Sequence, residues 1–339
     1  MKFLSLAFLA TPALAQTLKE ALDGQSLGKQ FAQQIDGNQK AQEALVPPGK
    51  SAVTLFLPTD NALDKHSSNA PPPLRRSKRQ QTPLSDREIA YMSGDGKADL
   101  MSLSQDKIIP SQSVDPTTGK QDITLADGTG DGKQAQRLLA RGNVSIPDIS
   151  MFGGLGAKSK IVAGDIEFDC GIIHFVDTIL DVPQRCSSSI KSLGYKNFQD
   201  ALAGAGLLGL IDKPDTTVFT YADDVFTPKA DKSEKTLKQH IVPNFVAYSP
   251  VLDDVKTLTT AANTTLKVRF EYGQYFINDS PIIKSNIICN NGVVHTLGKL
   301  LVVDKIVPYY PSSSDAASGR ANQMTIVVAL FLAAWNYIV

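Results

Sequence analysis

The stretch IVAGDIEFDCGIIHFVDTILDVP, residues 161–183, has a counterpart later in the chain, IIKSNIICNNGVVHTLGKLLVV, residues 282–303. Each sets one histidine, His174 or His295, inside a β-branched run, as GIIHFVDTIL and GVVHTLGKLL. Continuous apolar runs of this kind read as strands buried on both faces. A histidine inside such a strand must spend its ring N–H on a partner. With no nucleophile or paired carboxylate in sequence reach, it reads as a structural core residue rather than a catalyst. The stretch recurs because a domain recurs.

Working outward, each half carries an earlier strand-and-turn segment. These are SAVTLFLPTDNALD, residues 51–64, and DTTVFTYADDVF, residues 215–226. Each is preceded by apolar residues at helical spacing, which predict an amphipathic helix over TLKEALDGQSLGKQFAQQI (17–35) and over NFQDALAGAGLLGLI (197–211). The order of helix, strand and turn, middle region and histidine strand therefore occurs twice. Thr59 or Asp60 stands where a side-chain oxygen caps the first turn of a short helix, and Asp223 would do the same in the second copy. The first copy is longer between its two segments. The excess is expected as a loop insertion at about 66–134, in the Pro-, Gly- and polar-rich stretches 66–88 and 113–134.

These two segments, in this order and twice over, resemble the fasciclin (FAS1) domain family. Its first motif reads roughly T-V-F-A-P-T-[ND]-x-A-F, and the first copy here has Thr54 to Leu63 as TLFLPTDNAL. Its second motif reads roughly N-G-V-I-H-x-I-D-x-V-L, matched by Gly171 to Leu180 and by Asn291 to Leu297. The second copy departs from the pattern with Thr220-Tyr221 in place of Leu57-Pro58, and with Gly298 where the first has Asp177 or Thr178. The resemblance implies an α+β chain of two tandem domains, 17–183 and 187–305, each a β-sandwich or wedge-shaped β core with helices packed at one side. Residue periodicity alone says only mixed α and β. The stretch around His240 resembles the family's L-x-x-H-h-h segment, which makes it another packing residue. In some animal members a short Asp-Ile segment before the second motif takes part in integrin binding. Asp165-Ile166 stands at that place and is a candidate adhesion contact.

Composition sets the class. The 339 residues suggest about two domains, and 42% hydrophobic with 20% charged residues is enough for packed cores. Thirty-four basic residues balance 34 acidic ones, so no global field favours nucleic acid. Residues 1–15, MKFLSLAFLATPALA, have the charged start, apolar stretch and small-x-small exit of a secretory signal peptide. At the other end, a polar linker (306–323) leads to an apolar tail (324–339), the pattern of a GPI attachment signal with Ser314 or Asp315 as the attachment residue. Asn143, Asn263 and Asn278 open three N-glycosylation sequons. Of three cysteines, Cys170 and Cys186 are kept apart if 171–180 is one strand, roughly 33 Å long. Cys186 with Cys289 is the other candidate disulfide.

The function expected from this pattern is non-enzymatic. Two fasciclin-like domains on a lipid anchor would present surfaces to extracellular matrix, cell-wall polymer or another cell-surface protein, with avidity from many copies. No G-x-S-x-G or H-E-x-x-H motif or acid pair points to a wall-associated hydrolase. A carrier of a small apolar ligand is the other alternative. Neither a metal nor an organic cofactor is expected. The loop LRRSKRQQ carries the dibasic pair Lys78-Arg79, a candidate for cleavage by a kexin-type protease or for binding anionic polysaccharide or lipid headgroups.

Overall fold

Two seven-stranded mixed sheets, each with its own helices, follow one another along the chain. The computed structural model describes residues 16–69, 83–113, 137–143 and 146–302. The first domain runs α1 (Leu18–Asp23), α2 (Lys29–Ile35), α3 (Gln39–Leu45), β1 (Val53–Pro58), α4 (Asp60–Asn69), α5 (Asp86–Tyr91), β2 (Ser93–Asp95), α6 (Leu100–Leu103), β3 (Lys107–Pro110), β4 (Arg137–Asn143), β5 (Ile146–Phe152), β6 (Lys158–Phe168) and β7 (Gly171–Val176). The second runs α7 (Cys186–Ser192), α8 (Lys196–Gly204), α9 (Leu208–Ile211), β8 (Thr216–Tyr221), α10 (Glu234–Lys238), β9 (Ile241–Val242), α11 (Ser249–Leu252), β10 (Thr257–Thr259), β11 (Thr265–Glu271), β12 (Gln274–Ile277), β13 (Ser280–Cys289) and β14 (Gly292–Leu297).

Strand order is the same in both: β2-β1-β7-β6-β5-β4-β3 in the first and β9-β8-β14-β13-β12-β11-β10 in the second. The two motif strands of each domain lie side by side in parallel, with Phe56 opposite His174 and Phe219 opposite His295. All four strands are buried along their whole length. Parallel strands covered on both faces need this continuous apolar run. In the first domain one face of the pair, with Leu55, Leu57, Ile173 and Phe175, packs on α1 to α3. The other face, with Phe56 and Val176, meets Ile109, Leu138 and Met151, so the sheet folds over on itself. The expected wedge-like α+β core is what forms.

The motif glycine has a packing cause. A Cβ on Gly171 would lie 1.9 Å from the Val53 carbonyl oxygen, and one on Gly292 would lie 1.9 Å from that of Thr216. Neither partner is a movable side chain, so only hydrogen fits.

Several expectations are corrected. The helix over 17–35 is two helices, because the chain turns at Gly24–Gly28 to pass over β7. A Cβ on Gly28 would stand 2.3 Å from the Phe175 ring. The helix over 197–211 likewise breaks, with Gly206 at φ +70° between α8 and α9. The strand from Gly171 ends at Val176 rather than residue 180, since the Asp177 carboxylate turns back to the Lys160 N–H and Ser159 hydroxyl. Residues 66–134 are not a loop insertion throughout. They hold the end of α4 and all of α5, β2, α6 and β3, and the last four have counterparts in α10, β9, α11 and β10 of the second domain.

The domains meet over a small apolar patch of Leu139, Tyr248, Ile288 and Val293. Around it, Arg141 on β4 donates to Asp106 at 3.1 Å and to Ser249 Oγ at 2.8 Å, and lies 5.9 Å from the Tyr275 ring centre. Lys284 donates to Leu155 O at 2.9 Å, and Gly154 bridges to Ile288. The described residues form one compact unit.

Candidate functional site

The motif residues assemble into one buried network, built twice. Thr54 Oγ accepts from Ala98 N at 2.8 Å, while His174 Nε2–H donates to Ala98 O at 2.8 Å. In the second domain Thr217 Oγ accepts from Ala247 N at 2.9 Å, and His295 Nε2–H donates to Ala247 O at 2.8 Å. The backbone N–H and C=O of one residue, Ala98 or Ala247, are thus clamped between the threonine of the first motif and the histidine of the second. The other ring nitrogen, Nδ1, accepts from Asp165 N at 3.3 Å or Asn286 N at 3.4 Å. Those two residues sit at bulges in β6 and β13 with φ of 58° and 56°. An Asp or Asn tolerates this left-handed geometry better than most side chains. Each then caps a helix: Asp165 Oδ1 accepts from Leu100 N and Asn286 Oδ1 from Ser249 N, both at 2.9 Å.

Both ring nitrogens of each motif histidine are therefore spent on backbone. Burial pushes His174 below the usual imidazole range and His295 down to about 4. His240, buried, is also pushed down to about 4 by burial. Its Nδ1–H donates to Thr236 O at 2.8 Å, and its Nε2 accepts from the Tyr221 hydroxyl at 2.7 Å. All three imidazoles have both ring nitrogens in hydrogen bonds within the protein. Among the described residues no three His, Cys, Asp or Glu side chains gather as a metal site.

Of the expected caps, Thr59 takes the predicted place and the two carboxylates take another. Thr59 caps its own helix, accepting from Ala62 N at 3.2 Å. Asp60 instead reaches across to α2, accepting from Gln30 N at 2.9 Å, and Asp223 reaches α8, accepting from Asn197 N at 2.8 Å. The second copy has only a turn after Asp223 where the first has α4. The carboxylate serves the helix packed beside it because α2 and α8 lack a side-chain cap of their own.

Asp165 is exposed and Ile166 half-buried, so the candidate adhesion pair is at the surface, with one Asp165 oxygen held by Leu100. Asn263 is exposed in the turn before β11. Asn278 spends its amide on Lys267 N and Val302 O, at 2.8 and 2.9 Å. The Asn143 backbone closes β4. Lys78, Arg79, Ser314, Asp315 and the 1–15 leader lie outside the described residues. Cys186 and Cys289 are thiols whose side chains meet, while Cys170 lies apart on the first domain.

Two surface features were not legible in the motifs. The first is the β11–β12 hairpin. Tyr272 is fully exposed, at 101%, and holds φ at 53°, in a turn completed by Gly273. Beside it Phe270, 55% exposed, packs against Tyr275 with the rings tilted by 49° and their centres 4.7 Å apart. A type I′ turn favours Asn or Gly at that position; an exposed tyrosine there is a conformational cost without a packing return. The second is a groove of about 790 Å³ between α1 to α3 and the β6–β7 turn. Leu22, Ile35, Val46 and Phe168 line its apolar part, the Lys19–Asp36 ion pair (3.0 Å) stands at its rim, and Cys170 opens into it. Burial, followed by Asp169, raises the Cys170 thiol.

Residues 193–303 match the family model described as Fasciclin domain. Those residues are a fasciclin domain, and the first half of the chain repeats its strand order and buried network. Among curated proteins, fasciclin-like arabinogalactan protein CTB11 of Cercospora beticola is 25% identical over 206 residues, covering 58% of this chain and 55% of its own. A fasciclin-like arabinogalactan protein of Arthroderma benhamiae is 29% identical over 157 residues, covering 44% of this chain and 37% of its own. The chain thus spans about half or less of the length of these relatives. A solved FAS1 domain pair from the insect cell adhesion molecule fasciclin I aligns over 81% of this chain and 96% of its own, with 16% identity and a TM-score of 0.35.

Proposed function

We propose that the chain is a non-enzymatic surface protein that holds two fasciclin domains toward cell-wall polymer or matrix. The observation that carries this reading is the fate of the motif residues: His174 and His295 each give both ring nitrogens to backbone, so the repeated signature builds a scaffold and leaves contact to the surface. The relatives' names, which join a fasciclin domain to arabinogalactan, support a polysaccharide setting. The contact surface is the β11–β12 hairpin. Exposed aromatic rings such as Tyr272 and Phe270 stack on the C–H faces of sugar rings. Secretion, a lipid anchor at Ser314 or Asp315 and a glycan on Asn263 complete the proposal, and nucleic acid has no part in it. The test is competition: cells displaying the chain attach to wall polysaccharide under flow, and soluble 16–302 added in excess displaces them. Attachment indifferent to the soluble protein would reject an adhesive role.

The groove on the first domain favours a second reading, carriage of a small apolar molecule, since its volume falls in the range of small-ligand sites. An environment-sensitive apolar dye should then bind the soluble chain and be excluded once Cys170 is alkylated with a bulky maleimide. Dye binding unchanged by that alkylation would remove the groove from consideration.

A further inference from the structure

We propose that Cys186 and Cys289 are joined as a disulfide in the mature protein, tying the first helix of the second domain to the strand that feeds its histidine motif. The backbone brings the two residues together through separate contacts. Cys186 opens α7, and its N–H donates to Asn291 Oδ1 at 2.9 Å, two residues beyond Cys289. Gln184 bridges to Cys289, and Asn290 N–H donates to Gln184 O at 2.9 Å. Cys289 Sγ lies 3.5 Å from Ser189 Oγ. Ser189 is three residues after Cys186 and so shares its helix face. Cys289 is therefore aimed at that face, and the two cysteine side chains meet there, 0% and 2% exposed.

The bond has a clear route if it forms before the core closes, because the folded thiols are shut away from any oxidant. The oxidant is a low-molecular-weight disulfide of the glutathione type. One cysteine thiolate attacks it, forming a mixed disulfide and releasing one glutathione thiolate. The second cysteine then attacks the protein-side sulfur, forming the Cys186–Cys289 bond and releasing the second glutathione. Two electrons pass from the protein sulfurs to the small disulfide, and the two thiol protons end on the two glutathiones. Cys170 is left out by position: it lies at the β6–β7 turn of the other domain, in the groove. The closed loop takes in most of the second domain, and a cross-link over so long a loop removes much chain entropy from the unfolded state. Asn291, whose side-chain amide also donates to Ile211 O and Lys213 O at 2.9 Å each, carries the tie on to the end of α9.

The test counts thiols. Full-length chain is refolded from the reduced state in a glutathione and glutathione-disulfide buffer, denatured, treated with N-ethylmaleimide and weighed intact; the same count is made on chain secreted by a eukaryotic host. The expected result is one adduct before reduction and three after it, with Cys170→Ser giving none and two. Peptide mapping should then return a Cys186–Cys289 pair two hydrogens lighter than its free peptides. Three adducts before reduction in both preparations, or a linked pair containing Cys170, would overturn the proposal.

Discussion

The buried histidines give the sharpest prediction, which concerns acid. His295 is completely buried and titrates at about 4 when folded, against an ordinary value of 6.5. Its folded pKa is depressed, so between these values the unfolded chain binds the proton and the native state does not. The contribution to stability is whole above about pH 6.5 and is lost as pH falls through about 4. One pKa unit is about 1.36 kcal/mol, so His295 alone should cost about 2 kcal/mol by pH 5 and about 3 kcal/mol by pH 4. His240, also near 4, adds a similar amount. The perturbation that isolates one histidine is His295→Gln, whose amide can still donate to Ala247 O and accept from Asn286 N. Urea unfolding at pH 7.5, 6, 5 and 4.5 gives the slope for each protein. The wild type should lose stability more steeply than the variant, by about 2 kcal/mol between pH 7.5 and 5. Parallel slopes would refute the reasoning, since they would mean that His295 titrates alike in both states.

Other perturbations test other links. Gly171→Ala and Gly292→Ala each drive a methyl into a backbone carbonyl and should destabilise by about 3 kcal/mol or more, or prevent folding, as read by thermal unfolding. Asp60→Ala and Asp223→Ala each uncap a neighbouring helix and should cost about 1 kcal/mol, with faster amide exchange at Gln30 or Asn197. Arg141→Ala should cost about 1–3 kcal/mol and raise proteolytic cutting between the domains, because Asp106 and Ser249 lose a shared donor. Tyr272→Asn should leave stability unchanged or slightly higher, because Asn suits the left-handed turn position.

How much of this was legible in the chain follows from where the information sits. That the histidine strand is covered on both faces was readable because GIIHFV runs apolar on either side of its one histidine, though its parallel pairing with the first motif strand was not. That the histidines are structural was readable too, but not their partners. Ala98 and Ala247 are anonymous in sequence, and it is the sheet that brings each between a threonine and a histidine. In sequence Asp165 is an acid and Asn286 an amide, with nothing to equate them. In space they do one task, which needs only a side-chain oxygen at a left-handed bulge. The helix breaks were missed because apolar spacing carries through Gly24–Gly28, and the cause of the break, the Phe175 ring, lies far along the chain. The hairpin was missed because alternation in VRFEYGQYF marks a strand pair without saying that its tip stays bare.

The central claim is that the repeated motifs build the scaffold while the hairpin makes the contact. Attachment of cells displaying His295→Gln or Tyr272→Asn, scored under flow on wall polysaccharide at pH 7.5 beside the urea midpoints of the same two proteins, tests it most directly. The account predicts that His295→Gln still attaches, whatever stability it gives up, and that Tyr272→Asn keeps its midpoint and detaches. Loss of attachment in a folded His295→Gln, with Tyr272→Asn holding on, would contradict it.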